Sequence, residues 1–296
     1  MTLLRNKKSQ FLMYGVMAGL IFGGIVAYID NIKTKQQFGV IGETSLKLID
    51  LSIESDKAFL YIEQSAKHAT YRAIHELAEN GGCIGSDTYS GYTLWDFNKD
   101  YTLYKCPPNS DDYKNNFIEM FSENLYMHVL KYSPLHIPLS NYNFDFDGKK
   151  ITGTPIEPLK FQDTYVKGQT EVFYLASSSF ETEIDYDFSE YNDLRENAKD
   201  LVEVCSNVED IESCVDSKKN DFFNIGNLEL IEECGMENEN EVEEENQNQQ
   251  TQVNIFIFCV KSNKHKFYLY DEESEDSRLK NVIYKFALNF ENQEQS

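Results

Sequence analysis

The chain has 296 residues, 41% of them hydrophobic and 14% aromatic, so a sizeable core is within reach. Its formal charge is −23, with 50 Asp and Glu against 27 Lys and Arg. A phosphate backbone would repel such a chain, so a nucleic-acid partner is excluded.

Phe11 to Ile29 reads FLMYGVMAGLIFGGIVAYI, nineteen residues without a charge. As a helix it reaches roughly 28 Å, close to the hydrocarbon thickness of a bilayer. Arg5, Lys7 and Lys8 precede it and Asp30 follows, which predicts a cytoplasmic N-terminus at 1–10 and an extracytoplasmic remainder. The run is longer than a signal-peptide core, and Val26-Ala27-Tyr28-Ile29 fits a cleavage site poorly, so an uncleaved anchor at 11–29 is expected. Gly15, Gly19, Gly23 and Ala27 recur every four residues, a stripe suited to self-association or a partner helix in the membrane.

Residues 30–82 read as a stalk, with Gly39 and Gly42 as breaks, and then a long amphipathic helix from Ser55. Ala58, Ile62, Ala66, Ala69, Ala73 and Leu77 fall three or four apart on one face, and Asn80-Gly81-Gly82 stops the helix. Residues 83–296 follow as the extracytoplasmic domain. Thr93–Phe97 and Tyr101–Tyr104 predict a hairpin around Asn98-Lys99-Asp100. After Pro107-Pro108, Ser110 or Asp111 is placed to cap a second helix. Phe117, Met120, Phe121, Leu125 and His128 line one face of that helix, to about Tyr132.

Tyr142–Phe146 alternates, Asp147-Gly148 turns and Lys149–Thr152 returns, a hairpin signature. Val172–Ala176 and Phe180–Phe188 read as strands, the second with a wet face of Glu181, Glu183, Asp185 and Asp187. Tyr191, Leu194, Ala198, Leu201 and Cys205 mark a third helix, and Asn207–Val215 a short fourth with Ile211, Cys214 and Val215 buried. Phe222–Ile231 reads as strand. Between Glu181 and Glu245, 23 acidic residues face 4 basic ones, a solvated acidic surface. Residues 237–252 are Glu, Asn and Gln, too polar to bury, and predict a disordered loop. The end is β: Val253–Lys261, a turn at Ser262-Asn263-Lys264-His265, a return at Lys266–Tyr270, and a last strand at Val282–Phe290. The fold class is therefore α+β: an N-terminal transmembrane helix, a stalk and amphipathic helix, then antiparallel strands with two or three further helices.

All six cysteines lie beyond the anchor, as expected for disulfides in an oxidising compartment. Near-neighbour pairing joins Cys83 with Cys106, Cys205 with Cys214 and Cys234 with Cys259. No CxxC argues for zinc, and no cofactor fingerprint is present. His68, His75 and Glu79 sit two turns and one turn apart on the alanine-rich helix without HExxH, and read as exposed polar-face residues. Asn143, Asp145, Asp147 and Gly148 resemble the first half of an EF-hand loop, but its twelfth position is Thr154 where a bidentate Glu is needed. No nucleophile motif is present, so no catalytic residue is nominated.

Two resemblances bear on function. Lys7-Lys8-Ser9-Gln10 before the apolar run resembles the processing site of type IV pilin precursors. It implies cleavage between Ser9 and Gln10 and a helix that packs on a β domain; the acidic residue of that family falls on Tyr14 here, a departure. Tyr61–Ala66, Glu76–Gly82, Ile184–Phe188 and Tyr284–Phe290 resemble blocks in uncharacterised single-pass membrane-anchored proteins of small-genome archaea. That resemblance implies the same topology and an archaeal envelope, with no activity and no site residues. The expected function is a non-catalytic, membrane-anchored extracytoplasmic protein with an envelope structural, assembly or binding role. The alternatives are a pilin-like filament subunit and an extracytoplasmic hydrolase.

Overall fold

The computed structural model describes residues 7–97, 106–107, 109, 112–131, 141–163, 172–232, 234, 254–271 and 276–290. The turn at 98–100 and second strand at 101–104 of the expected hairpin, the caps at Ser110 and Asp111 and the loop 237–252 lie outside these residues. The fold is α+β. Contacts divide the chain into two units: Met1–Lys57 with Leu159–Ala176, and Ala58–Pro158 with Ser177–Ser296.

In the first unit, α1 begins at Lys7, and its helix runs without interruption to Glu79 in the second. The backbone is helical through Gly39 and Gly42, so the expected breaks are absent. Isolated glycines cost a helix only about 1 kcal/mol each, and the long helical run around them absorbs that. Tyr14–Lys33 is long and apolar enough to cross a membrane, and none of it is buried. Gly15, Gly19 and Gly23 have open space where a Cβ would stand. The first unit also holds an antiparallel pair, β5 (Leu159–Asp163) and β6 (Val172–Ala176). In the first of these strands Leu159 and Phe161 alternate with Lys160 and Gln162, a pattern of two apolar residues too short to mark a strand in the sequence.

The second unit is built on the alanine face of α1. Ala58, Ile62, Ala66, Ala69, Ala73 and Leu77 are all buried, and the small residues let other elements approach the helix closely. Helix α2 (Asp112–Leu130) is tied to it by polar bonds. Tyr61 Oη donates to the His128 carbonyl (2.8 Å), Asn124 Nδ2 to Glu76 Oε2 (2.6 Å) and Asn116 Nδ2 to the Gly82 carbonyl (2.8 Å). At its start, Asn109 and Asp112 exchange side-chain to backbone bonds of 3.1 and 3.3 Å, a reciprocal capping pair. Val129, rather than His128, takes the last buried position.

The buried face of α2 meets β3 (Tyr142–Phe146), β4 (Lys150–Pro155) and β7 (Phe180–Glu183), an antiparallel sheet in the order β3-β4-β7. Phe117 and Phe121 pack among Phe144, Phe146, Phe180 and Phe188 at 4.9 to 6.4 Å between rings. Gly153 lies opposite Phe180, whose ring covers it, and an added Cβ would overlap that ring. Tyr142 and Phe144 pack around the same ring, so it has no room to withdraw. Gly153→Ala is expected to cost about 2–3 kcal/mol by overpacking, read as a lower denaturation midpoint at unchanged slope.

The other sheet, among the described residues, runs β1-β2-β10-β9-β8. Strands β1 (Thr88–Tyr89) and β2 (Tyr92–Trp95) form a tight hairpin whose two turn residues, Ser90 and Gly91, both have positive φ. Strand β2 runs parallel to β10 (Asp276–Asn289), which pairs antiparallel with β9 (Ile255–Asp271). Trp95 stacks on Phe286 at 4.1 Å, and its Nε1 donates to the Gly81 carbonyl. Helix α3 (Ser189–Cys205) touches β10. Helix α4 (Ile211–Phe223), N-capped by Asp210, touches both α3 and β8 (Leu228–Leu230). Phe222 and Phe223 thus close a helix rather than open a strand, because burying Phe223 against Phe258 and Phe286 decides their conformation.

The expected turn at Ser262–His265 is corrected. The chain does not reverse there. Strand β9 continues, and the register passes from Lys261↔Ile283 to Lys266↔Asn281. Four residues thus stand opposite Val282 alone, a large bulge. The disulfides are Cys83–Cys106, Cys205–Cys214 and Cys234–Cys259.

Candidate functional site

The alternation of β7 outlasts its ladder. Thr182, Ile184, Tyr186 and Phe188 are buried, and Glu181, Glu183 and Asp185 are exposed. Ile184 N–H donates to the Lys149 carbonyl (2.7 Å) and carries the strand's path on toward α3. Asp187 then starts α3, accepting from the Ser189 backbone (3.1 Å) and hydroxyl (2.6 Å). Lys264 Nζ donates to the same carboxyl at 2.8 Å. The Lys264 bond, then the Ser189 bonds, hold the Asp187 carboxyl at about 2.

Beneath this segment lies a buried polar network. Glu190, 5% exposed, comes from the first turn of α3. Its Oε2 accepts from Tyr284 Oη (2.6 Å) and its Oε1 from Ser262 Oγ (3.2 Å). Because Tyr284 donates to Glu190, the 2.6 Å contact between Tyr186 and Tyr284 is donated by Tyr186. Tyr191 sets its ring edge against Tyr284, and its hydroxyl is buried without a hydrogen bond among the described residues. Burial pushes all three phenols up, so each stays protonated and able to donate.

His265 closes the network from the β9 bulge. Its backbone N–H donates to Ser262 Oγ (3.2 Å), which fixes the bulge. Its Nε2 accepts the Asp187 N–H (3.2 Å) and lies 3.6 Å from Glu190 Oε1. The Asp185 backbone favours the charged form of the ring. The ring is tilted against Tyr186, 4.7 Å between centroids, and is 4% exposed.

The outer face of the segment walls a cleft of about 1110 Å³. Lys67 and Tyr71 of α1, Lys114 of α2 and Lys149 of the β3–β4 turn line it opposite Asp185 and Lys264. Five lysines and five carboxylates reach it, so it is electrically balanced in a strongly acidic chain. Such a lining suits a ligand that carries both charges.

The candidate sites weighed from sequence fall elsewhere. His68 is exposed and faces His128 at 6.2 Å between rings. His75 is half-buried rather than exposed, with Nδ1 3.3 Å from Glu79 Oε2. The histidines therefore take different partners. Lys285 Nζ donates to Glu79 Oε1 at 2.8 Å, and His75, then Lys285, hold Glu79 at about 2. A depressed carboxyl stabilises above its ordinary 4.5 and loses that contribution as pH falls through about 2. Glu79 is 38% exposed, so after solvent screening the effect is on the order of 1 kcal/mol. Glu79→Gln is expected to flatten the acid limb of a stability–pH curve by that amount. Asn143 and Asp145 are exposed on β3. Asp147 Oδ1 accepts from the Lys149 and Lys150 backbones (2.8 and 2.9 Å), a turn bond rather than ligand geometry.

Glu190, Ser262, His265 and Tyr284 were not singled out by the sequence. One signal was available: Glu190 precedes Leu194, Ala198, Leu201 and Cys205 at helical spacing, on the buried face. No protein-family model, curated protein or solved structure matches the chain.

Proposed function

We propose that this chain is a non-catalytic, single-pass membrane-anchored protein, with a disulfide-stapled domain outside the membrane that serves the envelope by binding. One observation carries the reading. Tyr14–Lys33 has a mean hydropathy of 1.6 and none of it is buried, with Leu20 72% and Phe22 73% exposed. An apolar surface that large, left open to water, calls for lipid or a partner. The basic residues before it favour an inside N-terminus, and three disulfides suit an oxidising exterior. The resemblance of several sequence blocks to those of small-genome archaeal proteins points to an archaeal envelope as the setting. The balanced cleft is the surface best suited to binding.

Membrane fractionation tests the anchor. The chain is expected to stay in the pellet through alkaline carbonate and to leave it only with detergent; release by carbonate would count against an anchor. A pilin-like subunit is the second reading, favoured by the unbroken course of α1 from Lys7 to Glu79. N-terminal sequencing of mature protein separates the two: Gln10 first supports the pilin reading, Met1 retained opposes it. The hydrolase reading asks for a histidine that offers a nitrogen to substrate. Nε2 of the cleft histidine, His265, is engaged by the backbone of its own wall.

A further inference from the structure

We propose that His265 is a proton-released latch on the segment Ile184–Phe188. The neutral ring accepts the Asp187 N–H of that segment, and protonation breaks this bond and loosens the wall of the cleft. The geometry sets the chemistry. A ring nitrogen that accepts the Asp187 N–H must be unprotonated, so the neutral ring carries its proton on Nδ1. A proton added to Nε2 turns the acceptor into a donor facing another N–H. That bond is lost, and the nearest acceptor is Glu190 Oε1 at 3.6 Å. The ring turns from the segment toward α3.

The surroundings are poised for this. Burial lowers the His265 pKa; Glu190 opposes that from α3, as do Asp187 and Asp185 from the segment, while Lys264 on the bulge reinforces it. Helix α1 brings Glu63 and Lys67, of opposite charge, to the same cleft, and α2 brings Lys114. With the folded-state value below the ordinary 6.5, the unfolded chain takes up a proton first. The latch's contribution is therefore complete above that value and is lost as pH falls below it. The segment has no ladder pairing after Glu183; the Ile184 N–H bond to Lys149, the Tyr186–Tyr284 bond and the Lys264–Asp187 pair hold it beside the latch. Lys264 and Asp187 still join the two sides in acid, which makes the response a loosening rather than an unfolding.

Hydrogen exchange of the full chain in lipid nanodiscs tests this, with peptides from the paired ends Ile255–Val260 and Tyr284–Asn289 as the internal standard for the intrinsic pH dependence of exchange. Between pH 7.5 and 5, a peptide covering 184–190 is expected to lose about tenfold in protection relative to that standard. His265→Gln, which cannot titrate, is expected to remove the pH response. Glu190→Gln, which removes the charge that favours the imidazolium, is expected to move the midpoint to lower pH. A constant ratio in the wild-type chain overturns the latch without any variant, and so does an undiminished response in His265→Gln. Neither result bears on membrane anchoring, which carbonate extraction tests separately.

Discussion

Reduction of all three disulfides is expected to unfold the domain that holds them. The bonded cysteines are 23, 9 and 25 residues apart, and the loops they close do not overlap in sequence. Each therefore restricts the unfolded chain independently, by about 3 kcal/mol. Together they contribute on the order of 9 kcal/mol, against a typical net stability of about 5–15 kcal/mol. Trp95 is the sole tryptophan and fully buried, so its emission reports the loss without interference from the apolar N-terminal helix. The expected result is a red-shifted, exposed tryptophan in reductant at 25 °C. A reduced protein that still melts cooperatively within a few degrees of the oxidised one would show that the core does not depend on the bonds.

The second large effect is expected at Glu190. Glu190→Ala leaves the Tyr284 and Ser262 hydroxyls without their acceptor and opens a void where α3 crosses the sheet. Buried donors left unpaired and a broken buried network together are expected to cost about 3–5 kcal/mol. Glu190→Gln keeps the shape and one acceptor oxygen, and is expected to cost about 1–2 kcal/mol. A double-mutant cycle of Glu190→Ala with Tyr284→Phe should show coupling of about 1–3 kcal/mol. Equilibrium urea unfolding of the full chain in micelles reads these values. A Glu190→Ala loss below 1 kcal/mol would mean that the network is solvated and contributes little.

Local rules made several elements readable. The alanine face at Ala58–Leu77 is buried as its spacing predicts, because 3.6-residue periodicity leaves one face no other place to go. Asp147-Gly148 forms its hairpin because Gly148 takes a positive φ and Asp147 caps the turn. The cysteines bond near neighbours. Features that depend on distant partners were not readable. Ser262–His265 has turn-forming composition, yet β10 flanks it on both sides and β8 binds Ser262, so the same residues become a bulge. Phe222 and Phe223 have strand propensity but are drawn into a helix by Phe258 and Phe286.

The buried network was hidden for a different reason. With 50 acidic residues, no single carboxylate stands out by composition. Glu190 becomes distinct only when Tyr284, 94 residues away, and Ser262 reach it. Its helical phase with Leu194 and Ala198 was the one local trace. His265 was absorbed into an expected turn, where a histidine carries no meaning. The cleft above it draws on α1, α2, two strands' ends and the bulge, a combination that no stretch of sequence contains.

The central claim is that the chain is anchored by its N-terminal helix with the disulfide-bonded domain outside. Protease treatment of intact cells expressing the full chain tests it most directly, with an antibody against residues 255–290 as the readout. The account predicts that this epitope is lost from intact cells while a cytoplasmic control protein survives. Full protection of the epitope until the cells are lysed would place the domain inside and contradict the claim.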